Sequence, residues 1–525
     1  MDFSETSTHL QVVLSSLLVG GFLILLLFLC QTLSLGPKKQ RATLGRQGIR
    51  GPPPSLIYGN IPDMRRIVKE SKARRSIVTG GACSAQFTSN YALSLFPYFD
   101  HWRKIYGPTF YYSTGNILIL YVSLPELIKE IGLNKSFDLG KPSYLKKDHK
   151  AIFGEGIIAS NGELWAHQRK IIAPEFFIDK VKGMVKLMVD AAVLLLNSWE
   201  SIIARDGANA EIVVDADLKK FSANVIAKVC FGSNYSEGKD IFMHLSQLQD
   251  EISKPNIFIG IPGVRYLPTK HNRKIWRLEK EIRSLILKLA KERREISSTL
   301  PKNDLLQFIL EGAESSPCSS SNFIVDNCKN IYFAGYETTA VSAAWCLMLL
   351  ASHHEWQELA RAEVIEVCQG HFPEASMLHK MKVLTMVIQE TLRLYPPAAF
   401  LSREALRDVN LGDIHIPKGV NIKVLIPNLH HDPIIWGEDA GEFKPRRFAN
   451  GISGACKLPH AYIPFGIGSR TCAGQNLAMV ELKVLLSLLL SKFTFSLSPK
   501  YVHSPSFRLT IEPGFGLPLI LSMVA

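Results

Sequence analysis

The strongest hydrophobic pattern in the chain is one uninterrupted run near its start. From Leu10 to Leu35 no residue is charged, and Leu23–Leu29 is almost purely aliphatic or aromatic. About 20 apolar residues cross the hydrocarbon core of a bilayer, so this run predicts one transmembrane helix over about 10–35. A cleaved signal peptide opens on positive charge and carries a shorter apolar core. Here Asp2 and Glu5 precede the run, and the first positive residue is Lys38. Lys38, Lys39, Arg41, Arg46 and Arg50 follow it, which places the C-terminal side in the cytoplasm. Residues 1–36 are therefore expected to form an uncleaved, single-pass signal anchor in the endoplasmic reticulum membrane.

After the run the pattern turns amphipathic. Gly51-Pro52-Pro53-Pro54 favours stiff polyproline II, so residues 37–54 read as a basic, Pro-rich linker and 55–525 as one domain. Leu278, Ile282, Leu285, Ile286 and Leu289 recur at helical spacing, and a long apolar helical run covers 323–350. Met381, Leu384, Ile388 and Leu392 mark another helix, which Pro396 and Pro397 stop. Short β-like runs occur at Ile117–Val122, Ile414–Ile416, Asn421–Ile426 and Leu517–Met523. The expected fold is mainly α with small β-sheets. Ser315–Ser321 reads as a surface loop.

Composition removes several alternatives. The nine cysteines are odd in number and form no C-x-x-C pair, against a disulfide framework and against a structural zinc site. The net charge is +13, with Arg65, Arg66, Lys69, Lys72, Arg74 and Arg75 extending the basic stretch. Beside a membrane anchor, such charge suits anionic lipid headgroups and an acidic electron donor. No aromatic-interleaved basic motif supports nucleic acid. The pairs His353-His354 and His430-His431 lie near loop signals and read as structural or solvated.

The chemistry concentrates at Phe465-Gly466-Ile467-Gly468-Ser469-Arg470-Thr471-Cys472-Ala473-Gly474. A cysteine thiolate bound axially to haem iron favours O–O cleavage. Glycines around it let backbone N–H groups approach and hold the sulfur anionic, and Arg470 can pair with a porphyrin propionate. A dinucleotide loop would need a third glycine at 471, which is Thr. The segment resembles the haem loop of the cytochrome P-450 superfamily, F-x-x-G-x-R-x-C-x-G, with every fixed position filled. Glu390 and Arg393 share one helix face at i, i+3 and resemble the family's E-x-x-R, which the resemblance completes with Arg447 from Phe443-Lys444-Pro445-Arg446-Arg447-Phe448. Relatives often carry Glu where Arg446 stands. Ala334-Gly335-Tyr336-Glu337-Thr338-Thr339 resembles the family's A-G-x-(D/E)-T-(T/S), and its glycine and two threonines, poor mid-helix choices, are expected to open the helix locally. Ser160-Asn161-Gly162-Glu163 has capping-box spacing and opens a helix carrying Trp165 and Arg169, which resembles W-x-x-x-R.

What the resemblance implies can be stated residue by residue. Cys472 is the axial ligand of haem b iron, and Arg470, Trp165, Arg169, Arg403 and Phe465 line the cofactor. Thr338 and Glu337 manage protons. Glu390, Arg393 and Arg447 form a structural triad. The reaction is NADPH- and O₂-dependent monooxygenation, with electrons from a separate NADPH-cytochrome P-450 reductase, since the chain has no flavin or nicotinamide fingerprint. Gly48-Ile49-Arg50-Gly51-Pro52-Pro53, His167–Phe177 and Leu394-Tyr395-Pro396-Pro397-Ala398 are similar to the plant clan that oxidises isoprenoids. A gibberellin-type diterpenoid is the expected substrate, with a pentacyclic triterpenoid acid as the alternative and Ala398, Ala399, Phe400 and Leu401 along the pocket. A haem-thiolate isomerase or dehydratase would typically lack the acid–Thr pair. A membrane-anchored haem sensor or carrier would need neither that pair nor a reductase-facing basic surface.

Overall fold

The computed structural model describes residues 13–17, 19–21, 36–78, 91–134, 137–207, 209–232, 235–254, 263–297 and 304–524. Most of the expected membrane span over 10–35 lies outside these residues. The described pieces at 13–17 and 19–21 are helical, with Val13, Leu14, Leu17 and Val19 exposed.

Helices dominate, as the amphipathic pattern requires. The longest, Ser320–Ser352, is buried along almost its whole length. By length and apolar composition it could cross a membrane, as could Val185–Asp206. However, 83% of its apolar window is inside the protein, so it is the core helix of the domain. Asp215–Phe231 packs along it, and the contact is close at one point. A Cβ on Gly335 would stand 2.5 Å from Ile226 Cδ1. Helix–helix packing thus requires the glycine at this position. Lys270–Ser297 buries Leu278, Ile282 and Ile286 completely, the centre of the stripe seen in the sequence.

The β-structure sits at the edges. Five strands pair in the order Thr109–Thr114, Ile117–Val122, Asn421–Leu425, Phe400–Ala405, Leu139–Gly140. Ile117–Val122 and Asn421–Leu425 run parallel, and the other pairs are antiparallel. Side chains alternate across a strand, so this sheet divides two apolar cores. Leu118, Leu120, Leu401, Ala405, Ile422 and Val424 fill the smaller one. Ile119, Tyr121, Phe110 and Tyr112 join the larger, helical one. A three-stranded sheet (Asn209–Val213, Pro518–Met523, Phe493–Leu497) and the hairpins Val409–Leu411/Ile414–Ile416 and Pro505–Arg508/Thr510–Pro513 complete the β-content.

The basic, Pro-rich stretch lies against the domain. Its helix, Gly36–Arg46, buries Leu44. Tyr111 N–H donates to the Arg50 carbonyl at 3.1 Å. A Cβ on Gly51 would lie 1.8 Å from the Tyr111 carbonyl oxygen, so only glycine permits this approach.

Gly335→Val should overpack the interface with Ile226 and lower stability by about 1–3 kcal/mol. Ile226→Ala in the same chain should restore part of that loss. Thermal denaturation followed by circular dichroism checks both; an undiminished midpoint in Gly335→Val would contradict the packing.

Candidate active site

The loop around Cys472 is fixed by backbone geometry before any side chain acts. Cys472 N–H donates to the Phe465 carbonyl at 2.9 Å, and Thr471 N–H to that of Gly468 at 3.1 Å. Gly466 and Gly468 hold φ of +78° and +74°, where glycine carries no Cβ penalty. Gly468 is also a close approach. A Cβ there would stand 2.5 Å from the Gly132 carbonyl oxygen of the helix Pro125–Leu133. Phe465 packs, half-buried, on the larger core.

Cys472 is exposed, whereas the other described cysteines are buried or half-buried. Yet burial raises its thiol pKa, against the lowering influence of the Gly474 N–H and the charges of Arg169 and Lys141. Accessible surface together with strong desolvation means that the sulfur lies on an inner wall rather than facing bulk water.

Four cations gather around that wall. Arg169 Nη1 donates to the Thr471 carbonyl at 2.8 Å. Arg470 donates to the Ser160 carbonyl and to Asn161 Oδ1, both at 2.8 Å, and lies 4.2 Å above the Trp165 ring. Arg403 donates to the carbonyls of Ser402 and Ile467. Lys141, which the sequence motifs did not single out, is the fourth. Burial pulls its pKa down to about 7, with Arg403 and Arg470 adding repulsion. Burial likewise pulls Arg403 and Arg470 down to about 10. None of the four forms an ion pair among the described residues. Desolvated cations without counter-ions are costly, and this donor set fits a dianionic group such as the paired propionates of haem.

The helix carrying Trp165 and Arg169 is Gly162–Ile172, and its start corrects the sequence reading. Asn161 occupies the N-cap position without capping. Its Oδ1 instead accepts from Lys141 N–H at 2.6 Å and from Arg470. Ser160 Oγ donates to Gln168. The expected capping box is absent because the helix begins one residue later, at the N-cap Asn161, and the Ser160 hydroxyl turns to Gln168 instead.

Below the loop lies the ion pair of the helix Lys382–Leu394. Arg393 donates to both oxygens of Glu390, at 2.7 and 2.8 Å, with both side chains fully buried. Its other donors reach the carbonyls of His430, Ala440 and Glu442. Arg447 joins at 3.6 Å from Glu390 Oε1, but its hydrogen bonds go to the Trp436 carbonyl and to Asp439. Asp439 thereby supplies the carboxylate that Arg446, exposed here, cannot. His430 is a link that the sequence concealed. Its Nδ1 donates to the Arg393 carbonyl at 3.1 Å, and its Nε2 accepts from Ile463 N–H at 3.0 Å, two residues before Phe465. Burial lowers its pKa to about 3, so the ring is neutral and serves both bonds.

On the central helix, Thr338 Oγ1 donates to the Ala334 carbonyl one turn back at 2.6 Å. Glu337 is fully buried. Its Oε1 accepts from Lys219 at 3.0 Å and Gln249 at 3.1 Å, while Oε2 makes no hydrogen bond. Lys219 also reaches Glu512, at 3.3 Å. Burial lowers the lysine pKa, but the two carboxylates outweigh it and raise the value overall. Ser222 ties three helices, donating to Glu481 at 2.7 Å and to the Gly335 carbonyl at 3.3 Å. Burial pushes the Glu481 carboxyl up to about 8, so it is mostly protonated at neutral pH. None of Lys219, Gln249, Glu481 or Glu512 carried a local sequence signal.

Comparison with known proteins places the whole chain in one family. The family model described as Cytochrome P450 matches residues 86–518. Cytochrome P450 714C2 of Oryza sativa subsp. japonica is 58% identical over 489 residues, covering 93% of this chain and 93% of the relative. Cytochrome P450 714B2 of the same plant is 49% identical over 524 residues, with 98% and 97% covered. Cytochrome P450 714A2 of Arabidopsis thaliana is 48% identical over 494 residues, with 91% and 92% covered.

Glu390→Ala should leave Arg393 charged and unpaired in the interior, a loss of about 3–5 kcal/mol. Very little folded protein should accumulate, as soluble yield and proteolysis resistance would report. A stable Glu390→Ala chain would remove the pair from its scaffold role.

Proposed function

The chain belongs to the cytochrome P450 family, and we propose that it is a terpenoid monooxygenase of the endoplasmic reticulum, anchored through residues 1–36. The observation that carries the cofactor part is one accessible but enclosed cysteine ringed by four cations that lack counter-ions. Cys472 would hold haem b through its sulfur, and Arg470, Arg169, Arg403 and Lys141 would neutralise the propionates, with Trp165 stacked under Arg470. When bound, haem iron supplies activation of O₂ with two electrons taken from a separate NADPH-cytochrome P-450 reductase. The Gly474 N–H, Arg169 and Lys141 favour the anionic sulfur but do not outweigh its desolvation, so the thiolate would rest on the bound metal as well. Thr338 and Glu337 deliver protons. The Glu337 oxygen free of hydrogen bonds, Oε2, is the atom that exchanges them, while Lys219 and Gln249 hold Oε1 in place.

The sequence resemblance supports a gibberellin-type diterpenoid as substrate. Pentacyclic triterpenoids are the second class to try. The test is Soret titration and NADPH-dependent turnover in microsomes containing the reductase, with members of both classes. Phenylpropanoids or fatty acids binding in place of both would overturn the terpenoid assignment.

Cys472→Ala should abolish the shifted Soret band of the reduced CO complex; a normal spectrum would end the haem-thiolate reading. Thr338→Ala should keep full haem content but lower product per NADPH, with the missing electrons recovered as peroxide. Unchanged coupling would assign proton delivery to another group.

A further inference from the structure

Lys423 is a half-buried but strongly desolvated cation that neither the scaffold nor the cofactor cluster uses. In the five-stranded sheet it lies opposite Ser402 on one side and Tyr121 on the other. Period-2 alternation puts it on the face of Phe400 and Ser402. Leu401 and Arg403 belong to the opposite face, where Leu401 enters the smaller core and Arg403 reaches the Cys472 loop. Leu401 is therefore not part of the pocket wall expected from the sequence.

The Lys423 face is aromatic. Lys423 Nζ stands 4.9 Å over the Phe400 ring. Phe400 in turn packs on Phe96 (4.9 Å between centroids) and Phe507 (5.7 Å). Among the described residues Lys423 makes no ion pair and no hydrogen bond. Nearby Glu404 is engaged by the Ser143 N–H. Facing Lys423 is His149, whose Nδ1 is buried without a hydrogen-bond partner. His149 packs edge-on against Phe153, and Phe153 against Phe333 of the central helix, just before Gly335. This wall therefore runs from the sheet to the helix that bears Thr338.

Burial lowers the Lys423 pKa to about 8, leaving it mostly protonated at neutral pH. Burial, and secondarily Lys423 itself, lowers His149 to about 4, so the imidazole is neutral. One uncompensated charge thus sits on an apolar wall. A cation–π contact offsets only about 0.5–2 kcal/mol of such a desolvation cost. A ligand that carries its own anion completes the balance.

We propose that Lys423, with His149 beside it, anchors a ligand carboxylate, so that the substrate is an apolar acid held by its charged end. The identity of the apolar body rests on the terpenoid reading above; the carboxylate anchor does not.

The test uses the full-length holoprotein and Soret titration with two matched pairs: a tetracyclic diterpene carboxylic acid and its methyl ester, and dodecanoic acid and its methyl ester. The acid of at least one pair should bind more tightly than its ester. Lys423→Met should weaken that acid roughly tenfold to a hundredfold, as loss of a charge-assisted bond predicts, and leave the ester and the reduced CO spectrum unchanged. Lys423→Arg should retain most of the preference. If only the dodecanoic pair responds, through Lys423, the terpenoid reading falls and the anchor stands. Acid and ester binding alike in the unmodified protein, an acid preference that survives Lys423→Met, or no binding by either acid would each overturn the anchor. The comparison in the unmodified protein decides even if Lys423→Met fails to fold.

Discussion

Arg393 meets Glu390 through two short bonds with both side chains fully buried, where desolvation normally cancels the Coulombic gain. The pair is tolerable because nothing on the guanidinium is left over. Two donors go to Glu390, and the rest end on the carbonyls of His430, Ala440 and Glu442. A guanidinium has five N–H donors, and here all are used. Those carbonyls belong to the segment of short helices and turns preceding the Cys472 loop, which no long helix or sheet ladder holds in place. Arg393 therefore does for this segment what a β-ladder does for a strand. His430 passes the constraint on through Ile463 N–H, and the loop begins two residues later. The position of the sulfur is a consequence of a salt bridge that never touches it.

Desolvated cations, buried or half-buried, divide into two kinds in this molecule. Arg393 and Lys219 are neutralised within the protein, by Glu390 and by Glu337 with Glu512. Lys141, Arg169, Arg403 and Arg470 around Cys472 have only carbonyls, an amide, a ring or one another nearby. A fold that neutralises some buried charges and leaves others open can hold the open ones stably only with a ligand. The open set fits the chemistry inferred for the cofactor from the loop motif alone, although the two arguments share no residue except Arg470.

What the sequence disclosed was short in range. The loop glycines, the i, i+3 pair and the long apolar helix all express themselves within a few turns of chain, and each stands where its spacing put it. Gly335 was visible as a weak helix former, but its reason, Ile226, lies on another helix. The capping box failed because the Ser160 hydroxyl bonds Gln168, two turns along, rather than the helix start. Lys141, His430, Lys219 and Glu481 were illegible because their partners are brought near only by the fold. Phe400–Ala405 is a strand that divides two cores yet carries Ser402 and Glu404 on one face and Arg403 on the other, so it shows no apolar–polar alternation. In the three-stranded sheet, Phe493–Leu497 follows directly on a long helix and gave no turn signal.

Glu337 and Thr338 are adjacent in sequence yet are held by different parts of the molecule. Thr338 bonds back into its own helix, whereas Glu337 is gripped from outside by Lys219 and Gln249. Gln249 also donates to the Arg508 carbonyl at 2.8 Å, and Thr510 reaches Glu337 from the same hairpin. Between them Leu509 takes a left-handed φ of +66°, a conformation that a branched side chain adopts only when its surroundings impose it. One residue earlier than Arg508, Phe507 belongs to the aromatic wall with Phe96 and Phe400. The hairpin is therefore a single rigid piece with the acid at one end and the apolar wall at the other. A ligand body that presses on Phe507 acts on the same backbone that positions Gln249 and Glu337. Three residues of β-hairpin thus join the aromatic wall at Phe507 to the groups that hold Glu337.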